Sequence, residues 1–130
     1  MTTTAPHPGP RPDAPAPTLP DDVRDRTIVV IAAFNEEPVI ENVVRGVRDH
    51  YPHVVVVDDG SCDRTADAAR RADAWVLRHL VNRGQGAALQ TGIEFALRRH
   101  ADYIVTFDAD GQHQPDDIDA LLQPLVRGEA

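Results

Sequence analysis

Two acids one residue apart, Asp108 and Asp110, close an apolar, β-prone run from Tyr103 to Phe107. In extended backbone, side chains two positions apart project to the same side, so this spacing aims both carboxylates at one point. Carboxylates held that close repel each other and call for a shared proton or an intervening cation. A hard divalent ion, Mg²⁺ or Mn²⁺, suits them: it takes a few carboxylate oxygens and leaves its other positions to water and phosphate oxygens. In isolation Asp-Ala-Asp-Gly is more often a polar turn after a strand than a metal site. The surrounding chain reverses that balance.

Such a pair needs elements to hold it, and the chain alternates them. Thr27 to Ala33 is a continuous apolar run, the pattern of a strand buried on both faces. Asn35, Glu36 and Glu37 predict a helix start with a side-chain cap and first-turn acids, where Pro38 is tolerated. Val39, Ile40, Val43, Val44 and Val47 mark the apolar face of that helix. His53 to Val57 predicts a second buried strand, running into Asp58-Asp59-Gly60-Ser61. Asp63 and Thr65 are cap candidates for a short helix with a small-residue face at Ala66, Ala69 and Ala72. Trp75 to His79 predicts a third strand with Trp75 in the core. Asn82 to Gly86 is a glycine turn into a helix reaching about His100, and Tyr103 to Phe107 is the fourth strand. Pro115 opens a last helix with Ile118, Leu121, Leu122 and Leu125 on one face, which Pro124 is expected to end or kink.

Four such alternations with short links predict an α/β fold, a doubly wound sheet of about four parallel strands with right-handed crossovers. Ligands of such sheets bind beyond the carboxyl ends of the strands. Asn35-Glu36, Asp58-Asp59, Asn82 to Gly86 and Asp108 to His113 all fall at those ends. This one-sidedness is the strongest indication of a site that the residues carry by themselves.

The bulk properties narrow the partners. The 130 residues suit one domain, residues 23–130, preceded by a Pro/Ala-rich tail, residues 1–22. That tail holds seven of the 11 prolines and almost nothing to bury, so it is expected to be disordered. The net charge is -8, and all 13 basic residues are arginine. Such a surface argues against nucleic acid as a partner, and a phosphate-bearing ligand would need a metal or backbone dipoles to hold it. One cysteine, Cys62, fits a reducing compartment, and no apolar stretch is long enough to span a membrane. The expected location is the cytoplasm, with room for peripheral contact at a membrane surface.

The absence of lysine removes a P-loop, and Leu89 stands where a dinucleotide fingerprint needs its third glycine. A phospho-accepting receiver domain shares the paired acids after Val57 but uses a lysine. What remains are acids at several strand ends, able to accept from a base or ribose, and a close pair able to hold a metal on a diphosphate. The amino end of the helix containing Gly86 would assist through its dipole and amides. Together these point to nucleotide-sugar chemistry.

Four motifs then resemble, in order and spacing, those of the family 2 glycosyltransferases with the GT-A fold: Ala32 to Glu37, Val57 to Thr65, Asn82 to Ala87 with Gly92, and Asp108 to Pro115. The nearest likeness is to the dolichyl-phosphate (polyprenyl-phosphate) mannosyltransferase branch, over about Thr27 to Leu125. The resemblance implies a Rossmann-like GT-A nucleotide-binding half in which Ala33, Asn35 and Glu36 line the nucleotide pocket, Glu36 contacting base or ribose. It implies Asp58 by the base and Asp59 supporting the turn or ribose. The turn through Gly86 would shape the pocket floor. Asp108, beside Ala109, would contact the sugar-diphosphate and share Mg²⁺ or Mn²⁺ with Asp110 and Gln112. The donor would be a GDP- or UDP-linked sugar, and a hexose such as mannose would pass to a polyprenyl phosphate or another acceptor.

Relatives continue past the acidic pair with further strands that carry the acceptor site and its base, and no residue here matches that base. A second reading of a different class therefore stands beside the first: a catalytically silent nucleotide-binding or assembly module. The fourth strand, if left without its neighbour, would be an open edge, and self-association into a homo-oligomer is expected. The simpler readings are structural. Glu36 serves as a first-turn acid, Asp63 and Thr65 as caps, Cys62 as a bland substitution, and His113 as a turn residue. His7, His50, His53, His79 and His100 are scattered without zinc spacing.

Overall fold

A computed structural model of the protein describes residues 20–109 and 115–126. The elements are α1 (Asp21–Asp25), β1 (Thr27–Ala33), α2 (Glu37–Arg48), β2 (Val54–Asp59), α3 (Thr65–Arg71), β3 (Trp75–His79), α4 (Gln85–Arg98), β4 (Tyr103–Asp108) and α5 (Pro115–Val126). All strand pairs are parallel, and the order across the sheet is β3-β2-β1-β4. The predicted doubly wound, Rossmann-like sheet is thus present.

The order explains the layers. From β1 the chain steps outward to β2 and β3, then returns over the sheet to place β4 on the other side of β1. Right-handed crossovers in opposite directions put their helices on opposite faces. The larger core accordingly joins Val29, Ile31, Val54, Val56 and Phe107 to Ile40 and Val44 of α2, Ala68 and Ala69 of α3, and Ile118 and Leu122 of α5. The smaller one joins Ile28, Val30 and Val55 to Ala96 of α4, with Leu89 and Phe95 packed alongside. Alternate residues of β1 therefore serve alternate faces, and no residue of the strand is free to be polar except at its ends. Helix α4 lies close because Gly92 permits it: a Cβ there would stand 2.3 Å from Val30 Cγ1.

Several details differ from expectation. Helix α1 starts at Asp21, inside the predicted tail; it is one turn long and lacks periodicity, but Val23 is buried and its carbonyl accepts from Thr27 Oγ1 at 2.7 Å. Of the two outcomes expected at Pro124, an end or a kink, the helix does not end there: α5 runs on to Val126. Its buried face is Ile118 and Leu122, while Leu121 and Leu125 are more than half exposed. Asp119 turns inward with that face, accepting from the Tyr51 hydroxyl and from Arg24 Nη2 at 2.7 Å. Burial and the bond to Asp119 hold the Tyr51 hydroxyl well above its ordinary pKa. Trp75 is only half-buried, stacked on His53 and edge-on to Phe95.

Candidate functional site

Register brings the strand ends level: Ala33 pairs with Asp58, Asp59 with His79, and Ala32 with Asp108. Where the path across the sheet reverses, between β1 and β4, a cleft of about 410 Å³ opens. Ala32, Ala33, Phe34 and Glu36 line it after β1; Asn82, Gly84 and Gln85 after β3; Asp108 and Ala109 after β4; and Asp59 reaches it from β2. This is the topological switch point, the place where an open α/β sheet parts its loops.

The loops after β1 and β2 are laced together by groups that sequence reading assigned locally. Asn35 does not cap α2. It sits at φ 53°, its amide donating to Ser61 Oγ at 2.8 Å and its Oδ1 accepting from Cys62 N at 2.9 Å. The first amides of α2 are satisfied from the neighbouring loop instead: Glu36 N donates to Thr65 Oγ1 at 2.9 Å and Glu37 N to Asp63 Oδ2 at 3.3 Å. Asp63 also accepts from the amide of Thr65, so it serves two helix starts at once. Burial pushes its carboxyl up, and the bond from the Thr65 hydroxyl, with the amides of Glu37 and Thr65, outweighs that and holds it below the ordinary range. The backbone of Glu36 is thereby fixed where the residue lines the cleft.

The two aspartates ending β2 have different situations. Asp58 is fully buried; Oδ1 accepts from Ser61 N at 3.0 Å, and Oδ2, 3.4 Å from Arg78 Nε, has no hydrogen bond. It does not line the cleft. Asp59, 3% exposed, holds the loop after β3: Oδ1 accepts from Arg83 N at 2.9 Å and Oδ2 from Gly84 N at 2.8 Å. His79 Nδ1 lies 2.8 Å from Oδ1. Burial raises the Asp59 carboxyl, but the Arg83 amide, the His79 ring and the Gly84 amide together bring it below its ordinary value. Gly60 lets this loop approach: at φ 75°, a Cβ on it would lie 2.5 Å from the backbone of Val81 and Asn82.

Asp108 faces the cleft, with Oδ1 3.3 Å from Gln85 Nε2. Its expected metal-binding companions Asp110 and Gln112, and also His113, lie outside the described residues. Among the described residues no three of His, Cys, Asp or Glu gather closely enough to hold an ion. Of the predicted pocket residues, the structure therefore brings Ala33, Glu36, Asp59, Asp108 and Ala109 together. It leaves Asn35, Asp58 and Gly86 away from the cleft wall, Gly86 with open space where a side chain would be. Sequence reading missed His79, although its place at a strand's carboxyl end is the signal that singled out the acids.

Fold and cleft together define a Rossmann-like α/β unit of the GT-A type. The chain belongs to the family described as Glycosyl transferase family 2, whose model matches residues 28–130. It is 37% identical over 116 residues to a UDP-N-acetylglucosamine–dolichyl-phosphate N-acetylglucosaminyltransferase of Methanococcus voltae, covering 75% of this chain and 46% of that one. It is 37% identical over 111 residues to a polyprenol monophosphomannose synthase of Mycolicibacterium smegmatis, covering 79% and 42%. The glucosyl-3-phosphoglycerate synthase of Mycobacterium tuberculosis, solved with Mn²⁺, UDP and glucosyl-3-phosphoglycerate, superposes with a TM-score of 0.67 at 30% identity, covering 79% of this chain and 40% of that one. The same enzyme has been solved with Mg²⁺ and UDP. The chain thus spans less than half the length of these relatives. Among the described residues no helix is long and apolar enough to cross a membrane.

Proposed function

We propose that this chain is the nucleotide-sugar-binding half of a glycosyltransferase that passes a hexose to a polyprenyl phosphate or another acceptor with the help of a divalent metal. The observation that carries the reading is the cleft at the switch point, where Glu36, Asp108 and the amino end of α4 converge. A pyrophosphate has little to gain there from side chains alone, because the nearest charged groups are acids and the chain has no lysine. Two features offset that. The first-turn amides of the 14-residue α4 have no helical acceptors, and their dipole favours an anion. Asp108 offers hard carboxylate oxygen at the cleft, which fits Mg²⁺ or Mn²⁺, with Asp110 and Gln112 as the further ligands. Bound there, the metal supplies charge to a departing nucleoside diphosphate.

The other roles follow from placement. Glu36 accepts from ribose or base, with its backbone held by Thr65. Asp58, buried away from the cleft wall, acts on the pocket indirectly by holding the turn after β2 through Ser61 N. The solved relative with UDP supports a uridine donor, and the prenyl-phosphate names of the other relatives support an acceptor at a membrane surface. No base for the acceptor hydroxyl is assigned in this chain.

Calorimetry with UDP and GDP, with and without Mn²⁺, tests the reading. Metal-dependent binding of one nucleotide, lost in Asp108→Ala and Asp110→Ala, is expected; no binding by the folded chain in the presence of metal overturns it. Turnover of a nucleotide-sugar by this chain alone would eliminate the silent-module reading.

A further inference from the structure

His79 is absorbed by none of the roles above, yet both of its ring nitrogens are engaged beside the cleft. Its side chain is 9% exposed, with Nδ1 2.8 Å from Asp59 Oδ1 and Nε2 2.9 Å from Thr91 Oγ1. Thr91 in turn donates to Ala87 O at 3.0 Å, one turn back in α4. The imidazole thus joins the ends of β2 and β3 to the first turns of α4. Asp59 is a buried carboxylate, and a buried carboxylate holds its position only while its lone pairs are met. Its donors are the amides of Arg83 and Gly84 and the ring of His79. Those two amides immediately precede Gln85, whose side chain reaches Asp108 across the cleft.

We propose that His79 is a positioning residue: through Nδ1 it orients Asp59, which fixes the Asn82–Gln85 wall against which the diphosphate of the donor lies. This rests on the nucleotide reading of the cleft. The imidazole makes no contact with the ligand. Its two nitrogens divide the work, Nδ1 serving the cleft wall and Nε2 serving the packing of α4.

That division supplies the test. His79→Asn puts an amide near the place of Nδ1, and His79→Gln puts one near the place of Nε2. Backbone amide exchange at Arg83 and Gly84, followed by NMR without ligand, should stay near wild type in the Asn variant and rise about tenfold or more in the Gln variant. Thr91→Val, which removes the partner of Nε2 together with the Thr91–Ala87 bond inside α4 but leaves Nδ1 and Asp59 untouched, should leave exchange at both amides unchanged. UDP affinity with Mn²⁺ should follow the same order, the Gln variant weaker by about tenfold. Equal exchange in the Asn and Gln variants, or raised exchange in Thr91→Val, overturns the proposal by showing a merely structural histidine. The expected exchange pattern without any UDP binding by the wild type would uphold the positioning role and instead defeat the nucleotide reading.

Discussion

Asp59 shows what one residue does for the cleft. Its folded carboxyl lies below its ordinary pKa because three donors outweigh burial. A carboxyl depressed on folding contributes stability that is present above the unfolded value of about 3.9 and is lost as pH falls through the folded value. Acid should therefore release the Asn82–Gln85 wall below about pH 4. Amide exchange at Gly84 against pH checks this, and Asp59→Asn should flatten the dependence. Gly60 makes a second residue-scale case. With φ at 75° and loop backbone 2.5 Å from the missing Cβ, Gly60→Ala should displace Val81 and Asn82, lowering nucleotide affinity more than it lowers the urea midpoint.

At the scale of elements, α4 and α5 depend on different contacts. In α4, Gly92→Ala gains about 1 kcal/mol of helix propensity, but a Cβ 2.3 Å from Val30 Cγ1 overpacks the smaller core at a cost of about 1–3 kcal/mol. A lowered midpoint in urea is the expected outcome. In α5, Leu122→Ala should cost about 2–5 kcal/mol, and Leu121→Ala should stay within about 0.5 kcal/mol. Denaturation of the pair reads which face is buried, a point that periodicity alone misjudged. Sequence pattern marked four leucine or isoleucine positions as one stripe, but the inward face is Ile118, Asp119 and Leu122, with Asp119 bound to Tyr51 and Arg24, while Leu121 and Leu125 face solvent.

For the whole molecule, the strand order leaves β4 paired only with β1 among the described residues. A strand at the end of a parallel sheet is a template for pairing with another chain. We expect this 130-residue chain to self-associate. Sedimentation velocity checks this: a strictly monomeric species counts against it, and Thr106→Lys on the exposed face of β4 should weaken the association.

Much of the architecture was legible without coordinates, because it is written in short-range pattern. An unbroken apolar run marks the buried central strand Thr27–Ala33, and the shorter apolar start Trp75–Leu77 marks the half-buried edge strand Trp75–His79, so both appear with their observed limits. Helix-and-strand alternation implies the parallel sheet, and polar clusters at the carboxyl ends imply a site on that side. Tertiary structure decided which of those polar groups share the cleft and which do not. Asn35, Asp63 and Thr65 read as local caps because a cap is normally local, yet here they bridge two loops about 27 residues apart. Asp58 and Asp59 are neighbours in the chain, but successive side chains of a strand point to opposite faces, so one is sealed beneath Arg78 and the other holds the cleft wall. His79 gained its place from register alone, by standing opposite Asp59. Hydrogen-bond partners so distant in sequence are chosen by strand order and register, and a linear pattern does not encode either.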